Sequence, residues 1–318
     1  MRRPWFASLV LLLCGAGPSA QLPTLEKAGA QKAQPGALPD PVTVTVEDGG
    51  TGPYKAILTG DRSLLTHTLY RPKDLTPFGK DVKLPIVLWG NGGCRNSSGE
   101  FREFLSEIAS HGFLIVAIGP SSSAATKRGN APTGQSKSSQ LLDGLDWAMA
   151  QNGKDGEYKD KLDTKKVAVM GQSCGGVQAL EVSLDPRITT SVIWNSGLVR
   201  NVNAGQAKMA MPALSRDLLK KLHAPIAYIN GGTKDTASKY ALADFPEIEK
   251  VPVLLASQEV GHYPATFRQP HGGAFAVAGV AWLQWQLKGD QKAAKMFTGD
   301  NPGLAADPKW KVERKNIK

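Results

Sequence analysis

One serine lies in a glycine-flanked pentapeptide of a kind that serves covalent catalysis. Residues 171–175 read Gly-Gln-Ser-Cys-Gly, the pattern G-x-S-x-G, and they separate an apolar run at 167–170 from a helical stripe that includes Val177. A sharp turn between a strand and a helix lifts the serine hydroxyl clear of the sheet, where it can attack a carbonyl carbon. The sequence therefore predicts Ser173 as a nucleophile. The alternative is a serine that caps an ordinary helix.

A serine nucleophile needs a base, and the chain has five histidines. In the strand-turn-helix setting of the pentapeptide, an acid and then a histidine follow the serine along the chain. Three histidines do not fit this order, because they precede the serine or come before the acid: His67, His111 and His223. His262 comes directly after the last predicted parallel strand and is the expected base. His271, near the last predicted helix, is the alternative.

The acid that orients His262 is expected after the predicted strand at 225–229, because this strand comes just before the strand at 251–255 that leads to His262. Residues 225–229 form an apolar run, and Asp235 is the first acidic residue after it, at the end of a glycine-rich loop. A carboxylate there would fix the tautomer of the His262 imidazole and stabilise its protonated form. The alternative for Asp235 is the N-cap of a helix that begins at Thr236. Two later acids are interpreted as surface residues: Asp244 and Glu247.

A second glycine-rich loop is the candidate oxyanion hole. Residues 90–95, Gly-Asn-Gly-Gly-Cys-Arg, follow the first predicted parallel strand. Backbone amides from this loop and from the residue after the nucleophile stabilise the oxyanion of an acyl-transfer intermediate. We assign the donors to the amide of Gly93, or of Gly92, and to the amide of Cys174. The alternative is a flexible turn without this role.

Two cysteines flank the predicted oxyanion hole. Cys94 lies in its loop and Cys174 follows the nucleophile, and the third cysteine, Cys14, lies in the N-terminal segment. An exported chain that keeps two cysteines suggests one disulfide. We predict a Cys94–Cys174 bond that would hold the hole rigid. The alternative is a pair of small buried thiols.

The elements that must position these groups alternate between strand and helix. Two early strands, at 54–58 and 66–70, precede that succession. The later predicted strands are 84–89, 113–118, 167–170, 191–194, 225–229 and 251–255. Helical stripes lie between several of them, and a last helix is predicted at 274–287. This alternation predicts an α/β fold with a mostly parallel sheet and helices on both faces, and its antiparallel start gives the α/β-hydrolase order. Two long connections, 119–140 and 195–224, are expected to border the site.

The first twenty residues have the pattern of an export signal. Arg2 and Arg3 precede an apolar run at 5–13, which is too short to span a membrane, and small residues follow up to Ala20. The predicted organisation is a signal peptide at 1–20, a flexible leader at 21–48, an α/β-hydrolase domain at 49–297 and a C-terminal tail at 298–318. The mature protein is expected to be secreted or periplasmic.

Charge and composition narrow the class of partner. The formal net charge of +10 falls to +8 when Arg2 and Arg3 leave with the signal peptide. The basic residues are scattered, so we interpret them as a solvated surface and expect no nucleic-acid partner. The histidines are dispersed and no Cys-x-x-Cys pattern occurs, so we expect no metal site.

Several segments resemble the cutinase-like polyester hydrolases and, more broadly, the dienelactone-hydrolase-like esterases. The similar segments are Gly52-Pro53-Tyr54, Arg95-Asn96-Ser97-Ser98, Ser110-His111-Gly112-Phe113, Gly261-His262 and Gly279-Val280-Ala281-Trp282. The resemblance spans about residues 51–297. The chain departs from that group at Gly92, where the group has an aromatic residue.

The resemblance implies Ser-Asp-His catalysis without a cofactor, carried here by Ser173, Asp235 and His262. It also implies an aromatic wall beside the acyl site, which would be Trp194; the alternative for Trp194 is core packing. The sequence thus predicts hydrolysis of a small or polymeric carboxylic ester through an acyl-enzyme, without stable membrane insertion. The alternatives are a feruloyl or acetyl esterase acting on polysaccharide, a peptidase, or a non-catalytic binding protein on the same fold.

Overall fold

A nine-stranded sheet forms the centre of the residues described by the computed structural model, which are 40–125, 134–199, 211–262 and 266–317. The strands are β1 Ala56–Thr59, β2 His67–Pro72, β3 Leu84–Gly90, β4 Leu114–Ile118, β5 Leu162–Gln172, β6 Thr190–Trp194, β7 Ile226–Asn230, β8 Val253–Gln258 and β9 Trp310–Lys315. Their order across the sheet is β1-β2-β4-β3-β5-β6-β7-β8-β9.

The strands from β3 to β8 run parallel to one another, while β1, β2 and β9 pair in the antiparallel sense. The parallel strands therefore all end at the same edge of the sheet, and the loops that follow them meet there. This architecture confirms the predicted α/β-hydrolase fold, including its antiparallel start.

Helices cover both faces of the sheet. They are α1 Arg102–Ser110, α2 Ser121–Ala124, α3 Ser139–Gly153, α4 Cys174–Val182, α5 Asp217–Lys221, α6 Ser238–Asp244, α7 Gly273–Lys288, α8 Gln291–Ala294 and α9 Gly303–Ala306. Short 3₁₀ turns occur at Gly92–Cys94, Gly99–Phe101, Gly232–Lys234, Phe245–Glu247 and Pro270–Gly272. None of the helices in the described ranges has the length and hydrophobicity needed to cross a bilayer.

Alternation along the strands produces two buried layers. In β3, Val87 and Trp89 face a cluster that includes side chains of α1 and α7, whereas Ile86 and Leu88 face a cluster that includes α3 and α4. All seven residues of β3 are buried. A continuous apolar run is the expected composition for a parallel strand that is covered on both faces.

The predicted C-terminal tail is wrong in its central part. Residues 310–315 form β9, which pairs with β8 from Val253↔Lys315 to Gln258↔Trp310. Trp310 is only 7% exposed, and its ring lies 5.8 Å from that of Phe275. The segment reads as polar because an edge strand buries one side only, and the alternating Lys311 and Glu313 are exposed.

The predicted boundary between the leader and the domain is also displaced. Val44 pairs with Leu58 and Val46 is buried, so the packed structure begins several residues before the predicted position of 49. The predicted signal peptide at 1–20 lies outside the described residues, as does most of the predicted leader.

Candidate active site

The pentapeptide forms a tight turn between β5, which ends at Gln172, and α4, which begins at Cys174. Ser173 has φ 54° and ψ −119°, a conformation that is uncommon and strained for a residue with a side chain. The turn is fixed by hydrogen bonds from the Ser173 amide to the Trp194 carbonyl, 3.0 Å, and from the Gly176 amide to the Ser173 carbonyl, 2.9 Å. Side chains at Gly171 and Gly175 would overlap neighbouring backbone, which explains the glycines of the pattern.

The Ser173 hydroxyl lies beside His262, which in turn contacts Asp235. Nε2 of His262 is 3.0 Å from Oγ of Ser173, and Nδ1 of His262 is 2.6 Å from Oδ1 of Asp235. With the imidazole hydrogen on Nδ1, His262 donates to the carboxylate and accepts from the serine hydroxyl. The Asp235 side chain is fully buried, while the His262 side chain is 26% exposed. Three side chains far apart in sequence thus form one hydrogen-bonded chain that opens to solvent at its imidazole.

Asp235 is held as a carboxylate by several donors. Besides His262, its oxygens accept hydrogen bonds from the amides of Ala237, 2.9 Å, and Gly231, 3.1 Å. Burial by itself raises the pKa of Asp235, but the hydrogen bonds from His262, Ala237 and Gly231 outweigh it, so the pKa lies below its ordinary value. Helix α6 begins only at Ser238, after Ala237, and its first turn has no side-chain cap. The N-cap alternative for Asp235 therefore does not describe this loop.

Two buried amide side chains hold the backbone that carries His262. Nε2 of Gln172 donates to the His262 carbonyl at 3.0 Å, and Nδ2 of Asn195 donates to the Gly261 carbonyl at 2.9 Å. Gln172 is 4% exposed and Asn195 is 1% exposed. Sequence reasoning missed both residues. A weak signal existed for each, since Gln172 is the second residue of the pentapeptide and Asn195 follows a predicted strand end directly.

The loop after β3 lies against the nucleophile turn. Residues Gly92–Cys94 form a 3₁₀ turn in which Gly93 has φ 63°, and a disulfide joins Cys94 to Cys174 with a Cα–Cα distance of 5.2 Å. A side chain at Gly92 would overlap the amide oxygen of Gln172, so a larger residue there would require the Gln172 side chain to move. The structure thus brings Gly92, Gly93 and Cys174 next to Ser173.

Hydrogen bonds to buried side chains hold this loop in place. Asn91 donates to the carbonyls of Arg95, 2.9 Å, and Ile118, 2.7 Å, and accepts from the indole N–H of Trp89, 3.0 Å. The amide of Ser136 donates to the Cys94 carbonyl at 2.8 Å. Part of the long connection 119–140 therefore borders the site as predicted, although residues 126–133 lie outside the described ranges.

A cavity of about 260 Å³ opens at Ser173 and His262. Its other walls come from the start of α4, the connection after β6 and the start of α6, and the lining residues are Val177, Ser196, Val199, Met211, Thr236, Ala237, Lys239 and Tyr240. The long connection 195–224 thus contributes to the site, with residues 200–210 outside the described ranges. The cavity is smaller than the usual pocket for a drug-sized ligand, so it suits a short group beside the reacting carbonyl.

Trp194 does not line this cavity, and its predicted role as an aromatic wall is wrong. The side chain is fully buried and packs against three phenylalanines, with ring-centre distances of 5.1 Å to Phe104, 5.4 Å to Phe275 and 5.8 Å to Phe267. The reason is strand alternation, because the Trp194 side chain falls on the face of the sheet that α1 and α7 cover. Trp194 contributes its carbonyl to the nucleophile turn and its ring to the core.

The remaining histidines have structural environments of their own. Nε2 of His67 lies 2.8 Å from the Gln140 carbonyl, and Nε2 of His111 lies 3.1 Å from Glu107. His223 contacts the Ile188 carbonyl at 3.1 Å, while His271 lies 3.4 Å from Glu47. His262 is thus the histidine that the structure places at Ser173.

Asp244 and Glu247, the acids that follow Asp235 along the chain, also have identified partners. Asp244 is buried and accepts from the Leu198 amide at 2.7 Å and from the Tyr228 hydroxyl at 3.3 Å, so its interpretation as a surface residue is wrong. Glu247 pairs with Arg216 at the surface. Within the described ranges, no cluster of three or more His, Cys, Asp or Glu side chains is arranged to hold a metal ion.

Comparison with known protein families gives a match over part of the chain. Residues 92–201 match the family described as PET hydrolase-like. The chain is an α/β-hydrolase similar to the PET hydrolases. This similarity covers about a third of the chain and includes the oxyanion loop and the nucleophile turn, while Asp235 and His262 lie beyond it. No curated protein matches the chain. The PET hydrolase-like segment supports hydrolysis of esters as the class of reaction.

Proposed function

We propose that this chain is an exported serine hydrolase that cleaves carboxylic esters through a Ser173–His262–Asp235 triad and a covalent acyl-enzyme. The observation that carries the proposal is the continuous contact from Ser173 Oγ to His262 Nε2, 3.0 Å, and from His262 Nδ1 to Asp235 Oδ1, 2.6 Å. Such a chain lets an imidazole remove a proton from a hydroxyl that is otherwise a weak nucleophile.

The reaction follows from which atoms these contacts join. Nε2 of His262 accepts the hydroxyl proton while Ser173 Oγ bonds to the ester carbonyl carbon. The protonated imidazole, stabilised by Asp235, then gives that proton to the departing alcohol, which leaves an acyl group on Ser173. Water next loses a proton to His262 and attacks the acyl carbon, so the acid departs and Ser173 recovers its proton.

The negative charge that develops on the carbonyl oxygen needs donors. We assign them to the backbone amides of Cys174 and of Gly93 or Gly92. Support comes from the start of α4 at Cys174, where the positive end of the helix dipole lies, and from the disulfide that holds Cys94 at this place. These amides stabilise the transition state more than the bound ester, which is the requirement for faster chemistry.

Export is part of the proposal. Its support is the charged, apolar and then small-residue pattern of residues 1–20 and the presence of a disulfide, a bond that persists in oxidising compartments. The substrate class is a carboxylic ester, on the strength of the PET hydrolase-like segment.

A fluorophosphonate probe tests the nucleophile directly. We expect the purified protein to become labelled at Ser173, and Ser173→Ala to remain unlabelled and to lose at least about four orders of magnitude in kcat for p-nitrophenyl butyrate. Ser215→Ala, a change at an exposed serine, is the matched control and should behave as the wild type. Labelling of Ser173→Ala at the wild-type rate would refute the assignment, and a wild type that neither labels nor hydrolyses would indicate a binding protein.

A further inference from the structure

The walls of the cavity at Ser173 differ in chemical character. Val177, Val199 and Met211 are apolar, whereas Thr236, Lys239 and Tyr240 belong to the loop and helix that follow Asp235. This second wall carries a cation, because Lys239 is the one lysine or arginine among the described lining residues. A substrate group in the cavity therefore shares it with apolar side chains and with one cationic side chain.

Among the described residues that line the cavity, none is a carboxylate that would neutralise this charge. Asp235 lies behind His262 with its side chain fully buried and all its described contacts directed at His262, Ala237 and Gly231. Among the described residues, no carboxylate pairs with Lys239. Its ammonium nitrogen lies 5.1 Å from the centre of the Tyr240 ring. An aromatic face orients an ammonium group without cancelling its charge.

Lys239 also borders a second and larger cavity, of about 640 Å³, which Asp235, Glu259 and Glu313 line as well. Within the described ranges, no ion pair joins Lys239 to any of these three acids. Glu259 accepts from the amide and hydroxyl of Thr233 and lies 3.6 Å from the ammonium of Lys311. Lys239 thus remains available to a group bound at Ser173.

We propose that the cavity selects esters whose acyl group is short and carries a free carboxylate, and that Lys239 is the residue that binds this carboxylate. The inference rests on the proposed function, since it names the substrate class of the same site. The cavity, about 260 Å³, suits a short acyl chain, and the lysine that lines it would supply a charge-assisted hydrogen bond to the carboxylate. The net positive charge of the chain attracts the same anionic substrates over longer range.

Two esters of equal length test the proposal. p-Nitrophenyl hydrogen adipate and p-nitrophenyl hexanoate differ only in a terminal carboxylate against a methyl group, and p-nitrophenyl methyl adipate is a neutral polar reference. We expect the wild type to prefer the hydrogen adipate by kcat/KM over both neutral esters. Lys239→Met should lower the ratio of hydrogen adipate to hexanoate about tenfold, the effect of losing a charged partner in a partly open site, and Lys239→Arg should retain the preference.

Lys250→Met is the matched control. It removes the same charge at an exposed position just before β8, at the edge of the sheet opposite Ser173, and should leave the ratio unchanged. The preference should also weaken at high salt in the wild type and much less in Lys239→Met. A ratio that is the same in the wild type, Lys239→Met and Lys250→Met would overturn the proposal.

A binding measurement separates this proposal from that of the catalytic mechanism. Calorimetric titration of Ser173→Ala with monomethyl adipate, against methyl hexanoate, requires no turnover. We expect tighter binding of the anion and about tenfold weaker binding when Lys239→Met is added. A wild type that hydrolyses none of the esters while this binding difference persists would refute the mechanism alone, whereas equal binding of both ligands would refute the role of Lys239.

Discussion

At the residue scale, Asp235 decides how well His262 can act. Its carboxylate accepts three hydrogen bonds, and burial leaves it no contact with solvent. Because these bonds keep the pKa of Asp235 below its ordinary value, the carboxylate stays ionised across the neutral range. An ionised partner fixes the hydrogen of the imidazole on Nδ1, so that Nε2 faces Ser173 as an acceptor.

Replacement of Asp235 by asparagine tests this role. Asp235→Asn keeps the size of the side chain but removes the charge, so we expect a folded protein whose kcat falls by about three to four orders of magnitude, because the imidazole then adopts the wrong tautomer. Circular dichroism and p-nitrophenyl butyrate kinetics are the measurements. Asp74→Asn, at an exposed turn, provides the comparison and should keep full activity. Near-normal kcat in Asp235→Asn would assign the carboxylate a purely structural role.

Single residues were predictable where chain order constrains them. Ser173, Asp235 and His262 each follow a strand in the order that the parallel sheet requires, and the structure places the three side chains in contact. Gln172 and Asn195 were not predictable, because a side-chain amide that binds a backbone carbonyl far along the chain leaves no local pattern. Trp194 was misassigned because a strand end can direct its last side chain to either face of the sheet.

At the element scale, the disulfide connects the loop after β3 to the start of α4. Cys94 and Cys174 are separated by 80 residues and both are fully buried. The bond joins the loop after β3 to the first residue of α4, so it fixes the distance between the two proposed oxyanion donors. In the proposed mechanism, this position gives the bond a role in stability and in catalysis.

The double variant Cys94→Ala/Cys174→Ala separates these roles. The free energy of unfolding should fall by about 4.5 kcal/mol, the loop-closure value for a loop of this length, measured by urea denaturation. At a temperature where the variant is still folded, kcat should fall while KM changes little, because misplaced donors weaken only the transition state. Unchanged kcat in the folded variant would show that packing alone holds the oxyanion loop.

The parallel strands and several helices were predictable from the spacing of apolar residues and from composition. Buried runs such as Leu84–Gly90 gave the parallel strands, and the stripe of Phe104, Leu105 and Ile108 gave α1. β9 was not predicted because its alternation of one apolar and one charged residue is short and lies in a lysine-rich segment. Edge strands of this kind carry few apolar residues, so composition alone resembles that of a tail.

At the scale of the whole molecule, the C-terminal residues complete the core. Trp310 packs against Phe275 of α7 and belongs to the same buried cluster as Trp194 and Trp282. The residue also begins the strand that covers the edge of β8, the strand that precedes His262. The fold class was predictable from the alternation of elements, but the dependence of the core on this distant segment required the structure.

Truncation of the Trp310 side chain measures this dependence. Trp310→Ala should lower the free energy of unfolding by about 3–5 kcal/mol, because a large buried ring is removed and a cavity remains. Lys309→Ala, at the exposed neighbouring position, should change it by less than about 0.5 kcal/mol. Urea denaturation of both variants is the measurement. Equal stability of the two would mean that residues 310–315 contribute little to the core.

The pairing of β8 with β9 has a consequence for how the polypeptide reaches its final form. β8 ends at Gln258 and its neighbour begins at Trp310, so about fifty residues must emerge from the ribosome before the flank of β8 is protected. Until then the nascent molecule presents an unprotected hydrogen-bonding rim, a template for self-association.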